Sequence, residues 1–243
     1  DIPKDLSSIQ EQVSQLLSQA QSSPAGVAEG YALNAAELLL NNGQAKQSLS
    51  IVSHLEQPKL SVAQKYHHLL LFAKAHIALD TPEEALEALS GSRFNISSLA
   101  PHISIEEQLT IDQLRALAYD MTGRHLEAAR ERIFFNALLS EEAMQLNERK
   151  IWNGLKNIPL TELQSFPEQQ ASQELNGWMQ LAIIAKGNTY DIDAQQRSLA
   201  TWLTNWPTHP AALPLPPRLA ILNRLEEFRP KHIAVLLPLS GPL

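Results

Sequence analysis

The residues best suited by type to do chemistry are three adjacent acid pairs, Glu83/Glu84, Glu106/Glu107 and Glu141/Glu142, and the histidines His67, His68 and His76. General acid–base catalysis needs groups opposed across a cleft, where their pKa values can be driven apart. Neighbours in sequence on a helix do not face each other. Each acid pair falls in the first turn of an expected helix, where the helix dipole favours negative charge, so a structural role accounts for all three. His67 and His68 are adjacent and His76 lies about two turns on. That is poor spacing for a metal, and no His-Glu-x-x-His pattern accompanies it. The chain has no cysteine, which removes thiolate zinc sites and disulfides and leaves the redox compartment unread. No Gly-x-Ser-x-Gly elbow, phosphate-cradling glycine loop or dinucleotide fingerprint occurs in it. The sequence therefore assigns no catalytic, cofactor-binding or metal-binding residue, and it leaves any binding residues unidentified.

Trp152, Trp178, Trp202 and Trp206 are the remaining candidates for a functional surface, because aromatics anchor peptides and stack on sugars. Their helical spacing favours packing between hairpins over a ligand in a concave groove. Gly26 and Gly30, one turn apart, are expected to mark close helix contact. Lys and Arg total 19 against 26 Asp plus Glu, a net charge of −7, with no basic cluster able to neutralise a run of phosphates, so nucleic acid is excluded as a partner. The longest apolar runs, Leu69 to Ala73 and Ile233 to Leu237, fall far short of the ~20 residues that span a bilayer.

The elements that position these side chains are short helices. Ala, Leu, Gln and Glu dominate and glycine is scarce, which favours helix along most of the length. Capping boxes are expected at Ser61/Gln64, Thr81/Glu84, Ser104/Glu107 and Thr161/Gln164. Pro24 and Pro82 suit first helical positions. These signals predict helices over 5–21, 24–41, 44–56, 61–80, 82–90, 104–122, 124–139, 141–157, 160–165, 173–187, 193–206 and 216–228. Short connections make consecutive helices antiparallel neighbours.

An internal echo joins them. Aligning turns at Gly43, Asp80 and Gly123 places Ala36, Ala73 and Ala116 at one position before each turn and Leu49, Leu86 and Ala129 at one position after it. The spacing is longer and less regular than the 34 residues of an ideal tetratricopeptide unit. The expected fold is all-α: tetratricopeptide-like antiparallel hairpins stacked into an elongated right-handed superhelix over residues 1–230, with sub-blocks 1–157 and 173–228. Ile158 to Ser172, with Pro159 and Pro167, reads as a connector. Trp178, Leu181 and Ala182 then match the Trp-x-x-Leu-small opening of a tetratricopeptide first helix, and Trp202 and Trp206 share a face of the next.

After the proline-rich stretch Ala211 to Pro217 and a short helix to Phe228, the text changes. Ile233 to Leu237 is an apolar β-type run followed by a Pro/Ser/Gly loop, the pattern of a first buried strand of a parallel α/β sheet. Residues 231–243 are thus expected to be the linker and first strand of a domain that continues downstream.

Leu236 to Gly241 resembles the opening strand and loop of a type I periplasmic binding-protein fold. Preceded by degenerate hairpins and by Asn205 to Leu213 with its trailing prolines, it resembles the LpoA family, outer-membrane lipoprotein activators of class A penicillin-binding proteins, over the length of their N-terminal domain. The resemblance implies a non-catalytic periplasmic scaffold or stalk, tethered to the inner face of the outer membrane by a lipid on a cysteine upstream of Asp1. It also implies a class A penicillin-binding protein as partner, engaged mainly through the downstream domain. Ser240 and Gly241 match that family's strand-to-loop junction. Two alternatives stand beside it: the helical domain of a peptidoglycan lytic enzyme, and a generic adaptor holding a peptide in its groove. Peptidoglycan or a peptide is then the expected groove ligand, and no cofactor is expected.

Overall fold

A computed structural model describes residues 4–91, 94–167, 170–187 and 190–228, and the side chains of all these except 4–6, 226 and 228. Every regular element among them is helical, in agreement with the all-α expectation. The β-type run Ile233 to Leu237 and the junction Ser240/Gly241 lie outside the described residues. No described helix is long and apolar enough to cross a membrane. The chain divides between Asn157 and Ile158 into two compact units.

The first unit contains α1 (Lys4–Ser22), α2 (Val27–Asn41), α3 (Ala45–Ser53), α4 (Val62–Ala78), α5 (Pro82–Leu89), the single turn α6 (Ile96–Leu99), α7 (Ile105–Met121), α8 (His125–Asn136) and α9 (Glu141–Asn157). Consecutive long helices pack on one another, and α2 also packs on α4 and α4 on α7, so each hairpin lies against the next. The three aligned turns share one geometry. Gly43, Asp80 and Gly123 have φ of 74°, 58° and 74°. In each, the following N–H reaches back to a carbonyl five residues before it, Gln44 to Leu39, Thr81 to His76 and Arg124 to Tyr119. This is the Schellman closure, which satisfies carbonyls that the helix end leaves open and needs a left-handed residue at the turn. The echoed Ala36, Ala73 and Ala116 are fully buried at 0% exposure, which lets the backbones approach closely.

Two of the four expected capping boxes form. Ser61 and Gln64, and Ser104 and Glu107, each exchange side-chain and backbone hydrogen bonds. The other two do not. The Thr81 hydroxyl donates to the His76 carbonyl at 3.1 Å and accepts from His76 Nδ1 at 2.8 Å. The turn thus claims the oxygen that would have capped α5. Thr161 lies inside α10, whose N-cap is Pro159, two residues too late to cap. Pro82 occupies the first turn of α5 as expected. Pro24 instead precedes α2, accepting from Val27 and Ala28 N–H, and Gly26 is the N-cap with φ 89°.

The second unit contains α10 (Leu160–Ser165), α11 (Gln173–Lys186), α12 (Ile192–Asn205), α13 (Pro217–Asn223) and α14 (Leu225–Phe228). The segment expected as a connector contributes buried Ile158 and Leu163, and α10 packs on α11. The single helix expected over 216–228 is interrupted at Arg224, where α13 ends. Gln195, almost buried, donates to the Ile184 carbonyl at 2.8 Å and so closes the end of α11 from α12. Gln196 does the same for the Leu222 carbonyl of α13.

Candidate functional site

The side chains that could do chemistry are taken up by the fold. Glu83/Glu84, Glu106/Glu107 and Glu141/Glu142 all occupy first turns, of α5, α7 and α9. Glu107 completes a capping box, and Glu106 is held below the ordinary carboxylate range by hydrogen bonds from its own N–H and from Ser104. The histidines scatter. His67 faces Glu37 at 3.3 Å on the surface, His68 is buried with Nε2 at 2.7 Å from the Val52 carbonyl and its ring edge-on to Phe94, and His76 closes the turn to Thr81. Among the described residues no three His, Asp or Glu converge in a way that would hold a metal ion.

The tryptophans are packed as their spacing implied. Trp152, Trp178 and Trp202 are buried and Trp206 is half-buried. In the second unit three of them surround His209, with ring centroids 5.1 Å (Trp178), 5.2 Å (Trp202) and 5.9 Å (Trp206) from the imidazole, each edge-on. His209 Nδ1 accepts from Ala211 N–H at 3.1 Å, so Nε2 carries the proton and donates to the Glu174 carbonyl at 2.9 Å. Burial lowers the pKa of this ring, against the Glu174 bond that raises it. Trp202 Nε1 donates to the Gly177 carbonyl at 2.9 Å, and Trp206 Nε1 to Gln180 at 3.0 Å. A Cβ on Gly177 would sit 2.5 Å from His209 Cδ2, so the ring is seated directly on α11. His209 was invisible as a core residue because its partner Glu174 is distant in sequence; only the surrounding Trp spacing hinted at it.

Gly30 does mark a close approach, since a Cβ there would meet Gln64 Nε2 at 3.4 Å. Gly26 has open space instead and contributes its carbonyl, which accepts from the same Gln64 at 2.6 Å, while its N–H donates to Glu29.

Two polar networks fix α7, α8 and α9. Asp112, 2% exposed, accepts from Gln108 at 2.9 Å and from Arg115 at 2.7 Å, and Arg115 also reaches Glu131 at 2.7 Å. Burial pushes the Asp112 carboxyl up, against the pull of Gln108 and Arg115. About two turns further along α7, Asp120 pairs with Arg132 at 2.7 Å, and Asn147 donates to the Arg132 carbonyl and to Asn136 Oδ1, both at 2.9 Å. Such pairs set register more than stability, because desolvation offsets much of the Coulomb gain.

Beside the second network lies a groove of about 460 Å³ formed by α4, α7, α8 and α9. α7 contributes Thr110, Gln113, Leu114 and Leu117, and α9 contributes Ala143, Leu146, Asn147 and Lys150. Both sets follow the i, i+3, i+4, i+7 spacing of a single helix face. Sequence reading missed these residues, since the stripe mixes Thr110, Gln113, Asn147 and Lys150 with Leu114, Leu117 and Leu146 and so carries no apolar periodicity of its own.

The family described as LppC putative lipoprotein matches residues 7–243. Among curated relatives, the penicillin-binding protein activator LpoA of Vibrio vulnificus (strain YJ016) is 27% identical over 222 residues, which is 91% of this chain and 36% of that protein. LpoA of Erwinia tasmaniensis is 28% identical over 226 residues, 93% of this chain and 32% of that protein. This chain therefore spans about a third of the length of such relatives. The crystal structure of the E. coli LpoA amino terminal domain superposes with a TM-score of 0.59 at 21% identity, covering 90% of this chain and 96% of that one. The LpoA N-terminal domain from Haemophilus influenzae gives 0.58 at 20% identity, covering 87% and 92%. At these identities the superpositions speak to the fold alone.

Proposed function

This chain belongs to the LppC family, and from that premise we propose that it is the non-catalytic helical scaffold of a lipoprotein that activates a peptidoglycan synthase through protein–protein contact. The carrying observation is the pattern of coverage. Relatives named as penicillin-binding protein activators align along nearly all of this chain yet over only about a third of their own length, so the chain corresponds to one part of an activator. In this reading residues 1–230 are the scaffold and 231–243 lead into an α/β domain that makes the main contact with a class A penicillin-binding protein. A lipid upstream of Asp1 holds the assembly at the inner face of the outer membrane, and the helices carry the effector domain across the periplasm. The acid pairs support the non-catalytic part of the proposal, because each is committed to a helix start rather than opposed across a cleft.

The test is a binding titration on immobilised class A penicillin-binding protein, with the present chain and with a chain extended past Leu243. Saturable binding by the extended chain, and much weaker binding by the present one, is expected. Solubilisation of purified peptidoglycan by the present chain alone would instead place it among lytic enzymes.

A further inference from the structure

We infer that the groove between α7 and α9 is a docking site for a short acidic, leucine-containing segment of a partner protein. This inference goes beyond the scaffold reading and does not depend on it. Three observations point to this occupant. First, Leu117 and Leu146 are 41% and 51% exposed although both line the groove, one from each flanking helix. Large aliphatic side chains held open in a concave surface are the usual receptors for a partner's apolar side chain. Second, the charge of the groove opposes that of the chain. Its charged lining residues are Lys74, Arg132 and Lys150, with no acid among them, in a chain of net charge −7. Arg132 is already paired with Asp120, but exposed Lys74 and Lys150 have no ion-pair partner among the described residues. Third, Arg132 is 5% exposed and is held by Asp120 at 2.7 Å and by Asn147 at 3.4 Å, so a fixed guanidinium lies beneath the groove.

The dimensions limit the occupant. Seven residues of helical rise, from Thr110 to Leu117 or Ala143 to Lys150, span about 10 Å, which matches about three residues of extended peptide. In such a segment a leucine side chain lies between Leu117 and Leu146. The neighbouring carboxylates reach Lys74 on the α4 side and Lys150 on the α9 side, and Gln113 and Thr110 face the peptide backbone.

The experiment titrates the full 243-residue chain into a fluorescein-labelled hexapeptide of alternating Asp and Leu, read by anisotropy, beside a probe in which Lys replaces each Asp. Saturable binding of the acidic probe alone is expected, weakening as salt is raised. The double variant Lys74→Glu/Lys150→Glu, with both positions exposed and helicity checked by circular dichroism, should weaken binding at least tenfold. Lys46→Glu, a reversal outside the groove, should change it less than twofold, which separates the groove from net charge. Leu117→Ser should weaken binding without altering its salt dependence. Failure of the acidic probe to saturate by millimolar concentration would overturn the inference, as would equal binding of both probes or indifference to the lysine reversals. Binding of soluble peptidoglycan fragments in its place would also overturn it. None of these results bears on whether the extended chain binds the synthase.

Discussion

Replacing Gly177 by alanine tests whether the ring of three tryptophans around His209 is as tightly determined as the geometry implies. The new Cβ would lie 2.5 Å from His209 Cδ2, 2.7 Å from Nε2 and 3.2 Å from Trp206 Cε3. Ordinary carbon contacts are about 3.5–4.0 Å, so roughly 1 Å of overlap must be relieved. The imidazole cannot simply withdraw, because Nε2 is bonded to Glu174, Nδ1 to Ala211, and the three indoles surround the ring. Overpacking of this kind costs about 1–3 kcal/mol, and loss of the Glu174 bond about 1 kcal/mol more. Better helix propensity returns at most about 1 kcal/mol. The expected net destabilisation is about 1–3 kcal/mol, read as a lower urea midpoint of the tryptophan fluorescence transition. Gly30→Ala is the control: its nearest neighbour is the flexible end of Gln64 at 3.4 Å, so the same substitution there should be neutral or stabilising by up to about 1 kcal/mol. A Gly177→Ala protein as stable as the parent would refute the claim that His209 is locked against α11.

The neutral state of His209 also predicts a pH dependence. Burial lowers its folded pKa below the ordinary 6.5, so the unfolded chain takes up the proton more readily. Stability from this ring is therefore complete above pH 6.5 and lost as pH falls through the folded value. The tryptophan-monitored melting temperature should drop between pH 7.5 and 5.0 by more in the parent than in His209→Phe, and an equal drop in both would contradict the assignment. At the turn to α5, Asp80 holds φ 58° where the equivalent residues are Gly43 and Gly123. Asp80→Gly should raise stability by about 0.5–1 kcal/mol in urea denaturation, as left-handed backbone strains residues with a Cβ. Ser104→Ala removes a formed cap, with Glu107 N–H at 3.1 Å from its hydroxyl, and should cost about 1 kcal/mol. Thr161→Ala touches a position where no cap forms and should cost less than about 0.5 kcal/mol by the same measurement.

What could be read from the residues alone follows the range of the interactions involved. Helix starts at Ser61 and Ser104 and turns at Gly43 and Gly123 are local devices, written within a few residues, and they appear where the sequence places them. The failures at Thr81 and Thr161 are also local, but they are competitions. A hydroxyl that satisfies a capping box on paper is claimed by His76 in one case and arrives two residues late in the other. His209 and the groove are of a different kind. The first depends on Glu174 in another helix, and the second on two helix faces brought side by side by packing. Neither leaves a periodic signature of its own. The family resemblance rests on the order of parts and on residues 205–243 rather than on the hairpins, whereas the family match runs over residues 7–243, hairpins included.

The central claim is that these helices carry an effector rather than act as one. The most direct measurement is the peptide cross-linking rate of a purified class A penicillin-binding protein with no addition, with this chain, and with the chain extended past Leu243. Stimulation by the extended chain alone is the predicted result. Stimulation by the present chain at the same level would contradict the account and move the effector surface onto the helical hairpins themselves.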